Sequence, residues 1–337
     1  MPLIINRGMI KTQEISMGWQ TPNNQLFSWM QQFCMRVGES DLPNIRGSQL
    51  LISSDYSFGS PKSDFDVIGL LIADLQHSYG YLERQTIVRK ELLPDGRTMG
   101  FKSLNDRIRQ QAFFPFLEAA NQIEGICVAI AIDRRIEHLI STPDLVREFQ
   151  GRDWLQSPWK PRVFEQLIRV AHFIAVFVAG LSIPNQNLWW FTDDDAIIPN
   201  DRHASDTGRI FTKFLNMYTV HRLGEIAIGR NSLDEDDCLL EDLGAIADLT
   251  AGSTAEHLTT LRRKYGSIPT GMEIDLPPST ARTENFLTWF EETNHPLRRL
   301  AVALYLNRNG HLAMTILRTR MRANGIVIPR GLSSDRS

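Results

Sequence analysis

Three groups of aspartates in this 337-residue chain stand where a carboxylate is costly or out of pattern. Asp55 follows the short apolar run Gln49 to Ser53, just before the turn-rich stretch Phe58-Gly59-Ser60-Pro61-Lys62. A carboxylate there points off the edge of a sheet, although a turn-forming aspartate is the simpler alternative. Asp193, Asp194 and Asp195 follow directly on the apolar strand that begins Leu188-Trp189-Trp190. Three adjacent carboxylates repel one another, and either a bound cation or open solvent relieves that cost. Asp248 interrupts the apolar helical segment from Ala245 to Gly252, with Gly244 and Gly252 one turn away on either side and Glu241 on the same face. Each glycine costs the helix roughly 1 kcal/mol relative to alanine, which close approach of another element would offset. The pattern suits a metal ligand facing a sheet edge, against a capping or interhelical hydrogen bond.

Such an all-oxygen donor set selects hard ions, Mg²⁺ or Mn²⁺, over zinc. None of the eight histidines falls in an H-E-x-x-H or H-x-H spacing, and the cysteines at Cys34, Cys127 and Cys238 are too far apart for a zinc site or a disulfide framework. They read as reduced packing residues. No G-x-x-x-x-G-K-[ST] loop, G-x-S-x-G elbow or G-x-G-x-x-G turn is present. Asp133 also ends an apolar run, but Arg134 and Arg135 follow it, so a local ion pair is expected. In the Trp189-Trp190 pair one ring is expected in the core, and the other is a candidate for stacking on a base.

The elements that must position these residues are legible from periodicity. An amphipathic helix is expected over Asn24 to Val37, then two short strands, Gln49 to Ser53 and Asp66 to Asp74, paired as a hairpin. A third strand is expected over Thr86 to Leu92, a helix from Leu104 to Ala120, and a buried strand from Ile126 to Ile132. A long apolar helix, Arg162 to Leu181, precedes the strand at Leu188. A helix over Ser205 to Tyr218, a short segment at Glu225 to Ile228, and the Asp248 helix, capped by Ser232, complete this part. Past Gly266, a Pro/Ser/Thr-rich link leads to two expected helices, Glu284 to Glu292 and Pro296 to Asn307. Hairpin strands followed by alternating helix and strand give an α/β fold of RNase H-like order, a mixed sheet flanked by helices, with a helical C-terminal extension. The expected divisions are an N-terminal helical segment over 1–47, the α/β domain over 48–266 and a helical, basic extension over 267–337.

Composition sets the outer limits. With 42% hydrophobic and 22% charged residues the chain is an ordinary globular protein, not a disordered one. Its longest apolar stretch, Phe173 to Ile183, is about half the roughly 20 residues that span a bilayer, so no membrane segment is expected. The apolar run at the start is too short for a secretory signal, and the expected compartment is the cytoplasm. A net charge of −3 argues against coating nucleic acid through bulk charge. The charges are nevertheless segregated: seven arginines and no acid lie between Thr293 and Ser334. Among them Arg318, Arg320 and Arg322 are candidate phosphate contacts, against a solvated basic tail.

Taken together, Asp55, Lys102, an aspartate after a late strand and the "IADLTAG" helix around Asp248 resemble an uncharacterised branch of the RNase H-like superfamily. That branch has an early strand-end aspartate, a lysine after the third strand at the start of the first long helix, a mid-chain strand-end aspartate and a late "ADL.AG" helix. The resemblance covers about residues 48 to 260. It implies hydrolysis of phosphodiester bonds by two divalent ions, Mg²⁺ or Mn²⁺, with Asp55, one or two of Asp193, Asp194 and Asp195, and Asp248 as ligands. Lys102 is implied beside them, contacting a phosphate or orienting a carboxylate. The implied partner is nucleic acid, with a protein partner at the C-terminal extension as a further expectation. The alternative is a non-catalytic module of the same fold that binds nucleic acid or a protein.

Overall fold

The computed structural model describes residues 3–4, 33, 37, 41–139, 147, 155–193, 197–230, 238–268, 279–307, 309–321 and 327–331. Its centre is the hairpin expected from the sequence. Strand β2 (Gln49–Ser57) pairs antiparallel with β3 (Phe65–Ala73); among the described residues a two-residue strand β1 (Leu3–Ile4) precedes them. The next strand in the sheet is β4 (Gly125–Asp133), antiparallel to β3. On the other side of β2 lie β5 (Asn187–Thr192) and β6 (Ile226–Arg230), both running parallel to it. The strand order β4-β3-β2-β5-β6, an antiparallel meander continued by parallel strands reached through helical crossovers, is that of the RNase H-like fold.

Helix α1 (Tyr79–Leu92) and helix α2 (Arg107–Ala120) connect β3 to β4. Helix α1 corrects the strand expected over Thr86 to Leu92. The β-branched pair Ile87-Val88 suggested extended chain, yet the buried positions are Tyr81, Gln85 and Val88, spaced at helical intervals, while Ile87 is half exposed. Lys102 therefore comes before the third strand of the hairpin meander, in a single 3₁₀ turn, Phe101–Ser103, between α1 and α2.

Helices α3 (Pro161–Leu181) and α4 (Asp201–Tyr218) cover one face of the sheet. Phe33 packs edge-on against Phe173 and Phe177 there; the rest of the expected N-terminal helix, apart from Val37, lies outside the described residues. By length and composition α3 could cross a membrane, but 83% of its most apolar window is buried inside the protein, as for a central core helix. The other face carries α1, α2 and the long helix α5 (Leu239–Tyr265), which lies across β2, β3 and β4. Ser232 lies outside the described residues. Glu241 and Asp242 in the first turn of α5 and Arg262, Arg263 and Lys264 in its last complement the helix dipole, and Gly266 ends it with φ 73°.

The chain beyond 266 differs from expectation. Helix α6 (Ala281–Phe290) is present, but the segment expected as a second helix is strand β7 (Leu297–Leu306), parallel to β4. Antiparallel strands β8 (Leu312–Met321) and β9 (Val327–Gly331) continue the same sheet to nine strands. The Leu- and Ala-rich run of β7 favours helix by local propensity, but it is buried on both faces: Val302 and Leu304 enter the α3 core and Ala303 the cluster under α5. In place of a helical extension, this part of the chain widens the sheet.

Candidate functional site

The alternation of β2 divides its side chains cleanly. Leu50 and Ile52 enter the α3 core, while Leu51 enters the core under α5, and Asp55 follows Leu51 by four on that second face. Asp55, expected at the end of the strand, lies within β2, two residues before its last residue, Ser57. Its Oδ1 accepts the Tyr56 peptide N–H at 2.5 Å. Opposite Asp55 stands Gly69 of β3. A Cβ at Gly69 would lie 2.1 Å from the Ala247 carbonyl oxygen, so helix α5 touches the sheet backbone at this point. Asp248, the next residue of α5, is thereby brought to the level of Asp55. The small-residue helix face did imply a close approach, and Gly252 meets one too: its missing Cβ would be 2.4 Å from the Phe101 ring.

Asp193 arrives by the parallel pairing of β2 with β5. Ser54 stands beside Thr192 as the last paired positions, so the next residues along the two strands are Asp55 and Asp193. Asp55, Lys102, Asp193, Glu241, Asp248 and Glu256 all line one cleft of about 1140 Å³. Asp194 and Asp195 lie outside the described residues, as does Arg322. Arg318 and Arg320 are two residues apart on β8, paired along the backbone with Arg330 and Ile328 of β9.

Asp248 carries the electrostatic burden of the cleft. Burial pushes its carboxyl above the usual carboxylate range, and the negative charge of Asp193 adds to the rise. Opposing that, Oδ2 accepts the Phe101 peptide N–H at 2.6 Å, and the positive charges of Lys102 and Arg282 favour the ionised form. Lys102 itself is exposed at the rim. Among the described residues, no three Asp, Glu, His or Cys side chains close around one point as a preformed cation cage would. The donor set nevertheless fits a hard divalent ion chemically: carboxylate oxygens alone, those of Asp248 partly buried.

Other carboxylates are accounted for elsewhere. Asp133 is bound by Arg135 at 2.6 Å and by Arg262 at 3.0 Å, the first of these being the local pair expected from the sequence. Asp242 is buried between Arg89 and Gln85 and ties α5 to α1. Trp190 is fully buried and donates to Ser54 Oγ at 2.8 Å, whereas Trp189 is partly exposed and is not among the residues that line the cleft.

Sequence reasoning missed Gly69, Phe101, Glu256 and Arg282. An isolated glycine inside an apolar strand signals close backbone approach, and that signal was available for Gly69. Arg282 gave none, since it reaches the cleft from α6 across a linker.

No protein-family profile matches the chain, and none of the curated proteins does. Among solved structures the chain is similar to the crystal structure of the ribonuclease H2 from Pyrococcus horikoshii OT3, with 15% identity, 71% of this chain and 85% of that chain covered, and a TM-score of 0.32.

Proposed function

We propose that the protein is a divalent-cation-dependent nuclease that hydrolyses phosphodiester bonds of nucleic acid, with Mg²⁺ or Mn²⁺ as cofactor and the cytoplasm as its compartment. The observation that carries this reading is the meeting of Asp55, Asp193 and Asp248, from three separate elements of an RNase H-like sheet, in the lining of one cleft. Asp55, Asp193 and Asp248 would hold the ions, with Asp194 or Asp195 supplying a further ligand. Bound there, such ions activate water for attack and stabilise the leaving oxygen. The chain's own part is to fix the carboxylates on strands and a helix, to favour the ionised form of Asp248 through the Phe101 N–H against the effect of burial, and to offer Lys102 at the rim to a substrate phosphate. Arg318, Arg320 and Arg322 would extend the contact with the phosphate backbone, and a protein partner at β7–β9 is a further part of the proposal.

One observation favours a second reading, a non-catalytic module that binds nucleic acid or a protein: the described carboxylates do not close into a cage. Calorimetric titration with Mn²⁺ separates the two. The nuclease reading expects saturable binding to the free protein or to its complex with an oligonucleotide; no binding to either would leave the module.

A further inference from the structure

Asp248 is oriented from outside its own helix. The Phe101 peptide that donates to Oδ2 belongs to a one-turn 3₁₀ segment, which has little regular structure to hold it. Its ring packs over Gly252, one turn beyond Asp248 on the same face of α5. The Arg282 guanidinium lies 4.0 Å from the centroid of that ring, and its Nη1 donates to the Phe101 carbonyl oxygen at 3.2 Å. Arg282 is fixed in turn by Glu256, two turns beyond Asp248 on α5, whose Oε2 accepts from Nη2 at 3.1 Å. Thr280 and Thr283 also donate to Glu256 and so seat the start of α6 against α5.

A guanidinium over an aromatic face is attracted by the ring's quadrupole. Here one arginine holds both the ring and the carbonyl of the residue whose N–H holds the carboxylate. The chain Glu256, Arg282, Phe101, Asp248 leaves α5 and returns to it two turns earlier.

We propose that Arg282 is the positioning residue for Asp248: it clamps Phe101 so that the peptide N–H stays directed at the carboxylate. The proposal deepens, and rests on, the reading of Asp248 as a cation ligand. Partners that orient a ligating carboxylate are commonly worth about 10- to 100-fold in metal affinity.

The test uses the full chain carrying Arg282→Ala, with Arg282→Lys as the variant that keeps the charge but cannot fork to ring, carbonyl and Glu256 together. Two quantities are read: amide hydrogen exchange of Phe101 by NMR in metal-free buffer, and Mn²⁺ affinity by calorimetry. In Arg282→Ala, Phe101 should exchange about tenfold faster while the α5 amides stay protected, and Mn²⁺ should bind about 10- to 100-fold more weakly. Arg282→Lys should fall between the wild type and Arg282→Ala in both, and it decides the matter if α5 loosens in Arg282→Ala. Unchanged Phe101 exchange overturns the clamp whatever the ion does. Faster exchange with unchanged Mn²⁺ affinity reduces the clamp to a fold contact and overturns the positioning role. If the wild type binds no Mn²⁺, the cation reading fails and the positioning role with it, while the Phe101 exchange still settles whether the clamp exists.

Discussion

Asp55 lies directly opposite Gly69 in the antiparallel pairing of β2 with β3, and Gly69 is where helix α5 rests on the sheet. The missing side chain on one strand therefore sets how near Asp248 comes to the carboxylate on the other. Gly69→Ala would drive a methyl group against the Ala247 carbonyl, a backbone atom that moves only with its helix. Overpacking of this kind costs about 1 to 3 kcal/mol. The variant is expected to melt lower and to lose activity more than its stability loss explains; normal melting and full activity would show that α5 is free to shift.

Burial raises the Asp248 carboxyl and the nearby negative charge of Asp193 adds to the rise, so the two carboxylates repel one another when no cation lies between them. In EDTA, Asp248→Asn and Asp193→Asn should each raise the melting temperature. The double variant should gain less than the sum, with a coupling of about 0.5 kcal/mol or more. Additive gains in the double-mutant cycle would place the two charges apart. If Asp248 is instead a structural partner of Phe101 alone, its replacement lowers the melting temperature with or without metal.

Two buried histidines set the response to acid. Burial holds His172 down to about 3 and His257 down to about 4, from an ordinary value of 6.5. Below pH 6.5 the unfolded chain takes up protons that these folded imidazoles refuse, so the stability present above 6.5 is lost progressively towards pH 4. Urea midpoints measured from pH 8 to pH 4 should fall in that window, and His257→Gln should flatten part of the fall. A variant curve parallel to the wild type would mean that His257 takes its proton while folded.

The basic C-terminal strands give a binding prediction. Replacing Arg318, Arg320 and Arg322 together should weaken oligonucleotide binding across sequences. On duplex DNA it should also reduce the slope of log affinity against log salt, by up to about 0.9 for each phosphate that is no longer neutralised. An unchanged slope would assign these arginines to a protein contact or to solvent.

The parts of this architecture that were legible in the sequence are those in which one segment decides its own environment. Strand β4, with Ile126 to Ile132 apolar throughout, announces burial on both faces, and the glycines around Asp248 announce a close neighbour. Segments whose local preference and tertiary placement disagree were not legible. The Leu- and Ala-rich run of β7 becomes a strand because β4 offers it an unpaired edge, and Ile87-Val88 becomes helix because α1 buries Tyr81, Gln85 and Val88 together. Nor does any spacing reveal that Arg282 holds Phe101, 181 positions away in sequence.

The central claim is that Asp248, with Asp55 and Asp193, holds a cation needed for hydrolysis. Its most direct test is cleavage of a mixed panel of single- and double-stranded DNA, RNA and hybrid oligonucleotides by the wild type and by Asp248→Asn, in Mn²⁺ and in EDTA. Cleavage is expected from the wild type in Mn²⁺ alone, with a loss on the order of 10²-fold or more in Asp248→Asn despite an intact fold. Full cleavage in EDTA, or by Asp248→Asn in Mn²⁺, would contradict it.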